Sequence, residues 1–269
     1  MTPEVEEVLL GADARGLRRA LFVTALPLEM KEVRAHLTHL ASHFARDGNV
    51  FEIGQFSGAG NEWLVVVAES GAGNHASQGI VTTAINEIGN FELILLIGVA
   101  ASRKPHDAPI GSVVISSHVY LASVGKYADG TFYARAREFS PDTRLLGLAR
   151  KVARDERWQA RLKPPYGGTM PGDPQYPEPF PPSALIAPIV SVEAVSADVA
   201  SALEQQITQA YQDATALEME GYGLLFATHS ERTPSIVIRG ISDMHWHGRS
   251  HSRKAAYHHM FRSAYRHYS

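Results

Sequence analysis

Two carboxylates flank a methionine in Leu217-Glu218-Met219-Glu220-Gly221, and a third acid closes Arg239-Gly240-Ile241-Ser242-Asp243. Both segments end apolar runs. The pattern predicts a strand over Ala214–Leu217 that runs into a helix over Gly221–His229, then a second strand over Ser235–Ile241. Carboxylates delivered at strand ends can accept hydrogen bonds from sugar hydroxyls and can move protons. Each segment alone also reads as an ordinary acidic strand terminus. The pair, in this order and at this spacing, is more specific.

Further candidates fall at the ends of other apolar runs. Leu26-Pro27-Leu28-Glu29 follows the first, Glu69-Ser70-Gly71-Ala72-Gly73-Asn74 the second, and Gly98-Val99-Ala100-Ala101 ends the third. In open α/β sheets ligands sit outside the carboxyl ends of the strands, so acids and small residues gather at one edge. The turn around Gly71 and Gly73 fits the dinucleotide pattern G-x-G-x-x-A, but the next strand ends without the acid that would hold a ribose. A tight turn whose backbone N–H groups face a ligand at a helix start explains the glycines more simply.

The last residues are rich in bases. His245, His247, His251, His258 and His259 lie among Arg249, Arg253 and Lys254. A metal on His245 and His247 would need acids that are placed elsewhere, so neither a metal nor any other cofactor is expected. The cations precede or open a helix expected from Ser252 to Tyr265. They read either as a solvated basic helix start or as a subsite for substrate phosphates. Neither a G-x-S-x-G elbow nor a Walker loop occurs.

The elements that must position these residues alternate along the chain. Apolar runs at Ala20–Ala25, Trp63–Ala68, Leu93–Val99, Val113–Ser116 and Ile186–Val190 join the two strands above, and they are apolar on both faces, as buried strands are. Helical patterns occupy Pro27–Leu40, His75–Ile88 and Thr143–Ala153. A short helix from Thr2-Pro3 to Leu10, ended by Gly11 and Gly16, precedes them. The expected fold is α/β: a single domain with a mixed, mostly parallel central sheet flanked by helices. Residues 1–19 form a helical extension and 20–269 the domain. Pro and Gly crowd a stretch at about 163–183, which reads as a surface excursion or as a lid or subunit contact.

At 269 residues, 45% hydrophobic and 20% charged, the chain describes a globular protein with one large core. A net charge of -3 gives no reason to expect nucleic acid or an anionic membrane as partner. The absence of cysteine excludes disulfides and thiol catalysis. With an acidic N-terminus, unlike a signal peptide, it fits a cytoplasmic protein.

These segments together resemble the nucleoside phosphorylase and nucleosidase superfamily, and most its 5'-methylthioadenosine/S-adenosylhomocysteine nucleosidase branch. The similarity runs from about Ala20 to Tyr265. Thr24 to Glu29 resembles the first-strand segment that ends in the glutamate near the attacking water. Ser70 to Gly73 resembles the glycine turn, Leu217 to Gly221 the V-E-M-E-A segment, and Arg239 to Asp243 the R-A-I-S-D segment.

The resemblance implies cleavage of the N-glycosidic bond of a purine nucleoside or nucleotide, and a homo-oligomer. By it, Asp243 protonates the purine and Ser242 steadies that acid. Glu220 accepts the ribose hydroxyls, Met219 packs on the sugar and Glu218 supports the pocket. Glu29 handles water and Arg239 holds Glu29. Val99 stands where the branch has a serine, and Val195 where it has a base-stacking phenylalanine. Two rivals stay open. One is a phosphorylase, for which Arg103 is the available early-loop cation, and the other is a nucleotide-sensing module with weak or no catalysis.

Overall fold

The computed structural model describes residues 3–58, 60–122, 124–128, 131–155, 157–159, 183–194 and 202–244. Val195, the histidines from His245 onward, Arg249, Arg253, Lys254, the expected last helix and the Pro-rich stretch as far as 182 lie outside the described residues.

The chain opens with α1 (Pro3–Ala14), then β1 (Arg18–Thr24) and α2 (Pro27–Arg34). Three strands follow, β2 (Thr38–Phe44), β3 (Val50–Gly58) and β4 (Asn61–Glu69), then α3 (Asn74–Glu87), β5 (Phe91–Ser102) and β6 (Val113–Leu121). A small hairpin, β7 (Gly125–Ala128) and β8 (Thr131–Ala134), leads to β9 (Arg137–Phe139) and α4 (Thr143–Ala153). The last described elements are β10 (Ala184–Ser191), α5 (Ala202–Ala210), β11 (Ala216–Glu218), α6 (Gly221–Ser230) and β12 (Ser235–Met244).

The main sheet runs β11-β10-β6-β12-β5-β1-β4-β3-β2, and β11 also pairs with β5. That extra pairing closes β5, β12, β6, β10 and β11 into a ring and leaves β1 to β4 as an open wing. Parallel pairs join β4, β1, β5 and β12, and also β6, β10 and β11. The wing is antiparallel from β4 outward. Within the ring, β12 meets β6 and β11 meets β5 antiparallel. The sheet is therefore mixed, with its parallel pairs where the candidate residues lie.

Helices cover both faces, and the alternation of strand side chains shows how. On β4, Leu64, Val66 and Ala68 join the large cluster that includes Val5 of α1, Ile80 of α3 and Leu224 of α6. Val65 and Val67 point the other way, into a cluster packed by Met30 and Val33 of α2. On β10, Ile189 faces the large cluster, while Val190 packs with Ile207 and Tyr211 under α5.

Three local readings change. The first helix passes through Gly11 and runs to Ala14, and Gly16, at φ 65°, turns the chain out of it. The helix from Pro27 stops at Arg34 rather than Leu40, because Thr38–Phe44 pairs with β3 as an edge strand. The strand from Ser235 continues through Asp243 to Met244, with a bulge between Ile241 and Asp243. Among the described residues, no helix is long and apolar enough to cross a membrane.

Candidate active site

The site begins with two carboxylates that cap helices. Glu29 lies in the first turn of α2 behind Pro27, and its Oε2 accepts the N–H groups of Ala25 at 2.8 Å and Leu26 at 3.0 Å. Its Oε1 accepts the Val99 N–H at 2.8 Å, tying α2 to β5. Glu218 ends β11, and its Oε2 accepts the N–H groups of Glu220 at 3.0 Å and Gly221 at 2.7 Å, the start of α6. N–H groups at a helix start have no partner within the helix, and a carboxylate there satisfies them.

Arg239 joins these ends. It is fully buried in β12, and its Nη2 donates to Glu218 and, at 2.8 Å, to Glu220 Oε2. The other oxygen of Glu220 accepts the Gly73 N–H at 3.0 Å, so the glycine turn before α3 grips the same acid. Gly73 has φ 110°, which excludes most other residues. Arg239 stands opposite Gly98 in the β12–β5 register. A Cβ at Gly98 would collide with Arg239 Nη1 and lie 2.6 Å from Glu29 Oε1. Glycine at 98 is what lets Arg239 and Glu29 share this space.

Arg239 does not hold Glu29 by hydrogen bonds. Those go to Glu218 and Glu220, and Glu29 hangs on backbone N–H groups instead. At position 99 the contact to Glu29 is made by the main chain, so it does not depend on the side chain there. The Gly73 N–H, expected to face a ligand, faces Glu220.

Three acids around one guanidinium leave an excess of negative charge in a dry place. Burial pushes the Glu220 carboxyl above its ordinary range, with Glu218 and Glu29 adding to the shift, against Arg239 and the Gly73 N–H. For Arg239 burial works against the charge, yet Glu218, Glu220 and Glu29 outweigh it and hold the guanidinium above its usual value. Glu69, at the end of β4, is raised by partial burial and then by the charge of Glu29.

Asp243 lies four residues beyond Arg239 on the same strand, past the bulge and opposite Ala101. Ser242 occupies the bulge, exposed, with its Oγ 3.5 Å from Asp243 Oδ1. Bulges re-aim side chains near strand ends. Met219 is half-buried against the cluster under α5, and Gly71 turns the chain at φ 73°.

Arg103 is the early-loop cation that a phosphorylase would call on. Its guanidinium donates to the carbonyl oxygens of Tyr211 at 2.6 Å, Ala214 at 3.3 Å and Ile207 at 3.4 Å, where α5 ends. It is 7% exposed and serves the fold. Sequence reasoning also missed a clamp beside Gly73. Asn74 Oδ1 accepts the Ser191 hydroxyl at 2.9 Å and the Gly223 N–H at 2.8 Å. The only trace of it in the sequence is a polar residue straight after the glycine turn. Among the described residues no group of His, Asp and Glu is arranged to hold a metal.

Known proteins share this architecture. Residues 19–264 match the profile of the family described as the Phosphorylase superfamily. The ATP nucleosidase Cap17 of Escherichia coli (strain KTE188) is 26% identical over 245 residues, which cover 83% of this chain and 45% of that protein. The chain thus spans less than half the length of the curated relatives it matches. The 5'-methylthioadenosine/S-adenosylhomocysteine nucleosidase of Colwellia psychrerythraea 34H, solved with adenine, superposes with a TM-score of 0.65 at 22% identity, over 85% of this chain and 83% of that one. A futalosine hydrolase mutant from Helicobacter pylori strain 26695 gives 0.62 at 19% identity, over 84% and 90%. At these identities the likeness to solved structures is one of fold.

Proposed function

The chain belongs to the phosphorylase superfamily, and from that premise we propose that it hydrolyses the N-glycosidic bond of a purine nucleoside or nucleotide and releases the free base. The observation that carries this reading is the buried cluster in which Arg239 gathers Glu218 and Glu220 beside Glu29 at the strand ends.

Cleavage breaks the bond between the ribose C1' and the purine nitrogen. Positive charge grows on the sugar and an electron pair moves to the base. Asp243 donates a proton to the base, which then leaves neutral. Glu220 accepts the ribose hydroxyls, and its negative charge favours the developing cation. Arg239 and Gly73 fix that carboxylate from opposite sides, and Met219 packs on the sugar. Glu29 orients water at C1' and takes its proton as the new C–O bond forms. Glu218 supports Arg239 and the start of α6.

Water is favoured over phosphate because Arg103 is committed to the end of α5 and an acid, Glu29, stands after β1. Similarity to an ATP nucleosidase of Escherichia coli supports a nucleotide, for which Arg249, Arg253 and Lys254 would hold the phosphates. By the resemblance, Val195 takes the place of the residue that stacks on the base. The protein is proposed to work as a cytoplasmic homo-oligomer, without metal or other cofactor, nucleic acid or membrane.

The test incubates the purified chain with adenosine, methylthioadenosine, AMP and ATP in phosphate-free buffer and measures free base. Release without phosphate is expected. Release that depends on added phosphate would make it a phosphorylase. Binding of a nucleotide with no base released would favour the sensing module.

A further inference from the structure

We propose that Asn74 is a positioning residue for Glu220: with Ser191 and Gly223 it locks the Gly73 N–H onto the carboxylate that grips the ribose. The inference rests on the hydrolase reading for what Glu220 does, and on geometry alone for how Glu220 is held.

Asn74 is 5% exposed and opens α3. Two donors converge on its Oδ1, the Ser191 hydroxyl from the end of β10 and the Gly223 N–H from the first turn of α6. Because a backbone N–H can only donate, the atom facing Gly223 must be the amide oxygen, and the orientation of the amide is fixed. The Asn74 nitrogen is buried with no partner among the described residues. A buried donor left unpaired is costly. A position serving only the fold would be better filled by a side chain without that donor.

Gly223 tightens the clamp. A Cβ there would lie 2.7 Å from the carbonyl carbon of Asn74, so α6 rests directly on the peptide that starts α3. One residue earlier in the chain is the Gly73 N–H that holds Glu220 Oε1, and Glu220 is itself the residue before α6. Asn74 therefore ties together the two ends between which Glu220 is stretched. Without it, Arg239 alone would restrain the carboxylate, from one side.

The groups facing Glu220 are Arg239 from β12, Glu218 from β11, Glu29 from α2 and the Gly73 N–H. Glu193, after β10, approaches Gly73. Of these, only the Gly73 contact depends on Asn74. A hydrogen bond to a carboxylate favours its charged form. Loosening Gly73 must therefore raise the pH at which Glu220 gives up its proton, while the charges on the other elements stay in place.

Asn74→Ala is expected to lower kcat/KM for base release on the order of 10²-fold, as misplacement of a gripping group does. The acid limb of its pH profile is expected to move upward. Ser191→Ala keeps the Gly223 N–H on Asn74 and should show a smaller shift in the same direction, and it serves as the test if Asn74→Ala does not fold. Carbon-13 NMR of glutamate-labelled protein reads the Glu220 titration directly, with Glu220→Gln assigning the signal. An upward shift in either folded variant supports the clamp. A residue that only stabilises the fold would lower the melting temperature and leave the Glu220 titration where it is in the wild type, and that result overturns the inference. Should the wild type release no base while the NMR shift is seen, the hydrolase reading fails and the clamp stands.

Discussion

Arg239 and Arg103 are both buried beside β5, yet they do opposite kinds of work. Arg239, with no exposure, faces Glu218 and Glu220 at the ends of β11 and the loop beyond it. Arg103, 7% exposed, donates to carbonyl oxygens where α5 ends. The second arrangement caps a helix end. The first assembles acids that would repel one another without it. The partners a buried arginine meets, not its burial, tell a structural site from a chemical one. The contrast also bears on the nucleophile, since an arginine committed to carbonyl oxygens has little left for phosphate.

The largest expected effect comes from removing the charge at the centre of the cluster. Arg239→Met leaves Glu218 and Glu220 buried without their counter-ion. Breaking a buried pair from one side typically costs about 3–5 kcal/mol. A denaturation midpoint far below the wild type is expected, with base release lost. A variant that folds as stably as the wild type would show that the cluster is not held by Arg239.

Asp243→Asn separates chemistry from cohesion. It lies on the same strand as Arg239 but beyond the bulge, so the cluster should persist and the melting temperature should barely move. Base release is expected to fall about 10²–10⁴-fold, the usual contribution of a general acid. Near wild-type turnover would take Asp243 out of the mechanism.

Arg103→Met should act on stability alone. It uncovers carbonyl oxygens at the end of α5, and each buried group left unpaired costs about 1–3 kcal/mol. The rate per folded molecule is expected to stay constant, with or without phosphate in the buffer. A phosphate-dependent rate that this substitution abolishes would move Arg103 into the site and reverse the comparison.

Much of this was readable because burial leaves marks in sequence. The apolar runs of β1, β11 and β12 stand out in the sequence and show where Glu29, Glu218, Glu220 and Asp243 emerge. The helical pattern from Pro27 to Leu40 overlaps the start of the edge strand β2. Its residues alternate between exposed and buried with few large apolar side chains, and Leu40 extended the helical spacing from Pro27. The carboxylates were legible as strand ends, but their partners were not. That Arg239 binds Glu218 and Glu220 follows from the extra β11–β5 pairing that closes the ring, which no local pattern encodes. The clamp of Asn74, Ser191 and Gly223 is assembled from three distant elements, and only packing brings them together.

The smallest expected effect is on stability, at Glu220, and its sign is informative. Burial, helped by Glu218 and Glu29, raises this carboxyl above its ordinary range despite Arg239. In the unfolded chain a glutamate titrates near about 4.3. Between that pH and its folded pKa the folded protein keeps a proton that the unfolded chain releases. The stabilising contribution is therefore full below the unfolded pKa and is lost as pH rises through the folded one. At neutral pH the Glu220 charge weighs on the fold. Glu220→Gln should then melt at, or slightly above, the wild-type temperature at neutral pH, with the difference vanishing in acid, while base release is lost. Melting curves of both proteins across this pH range make the comparison. A neutral-pH melting temperature clearly below the wild type would mean that attraction to Arg239 outweighs burial, so that the cluster serves stability as Arg103 does.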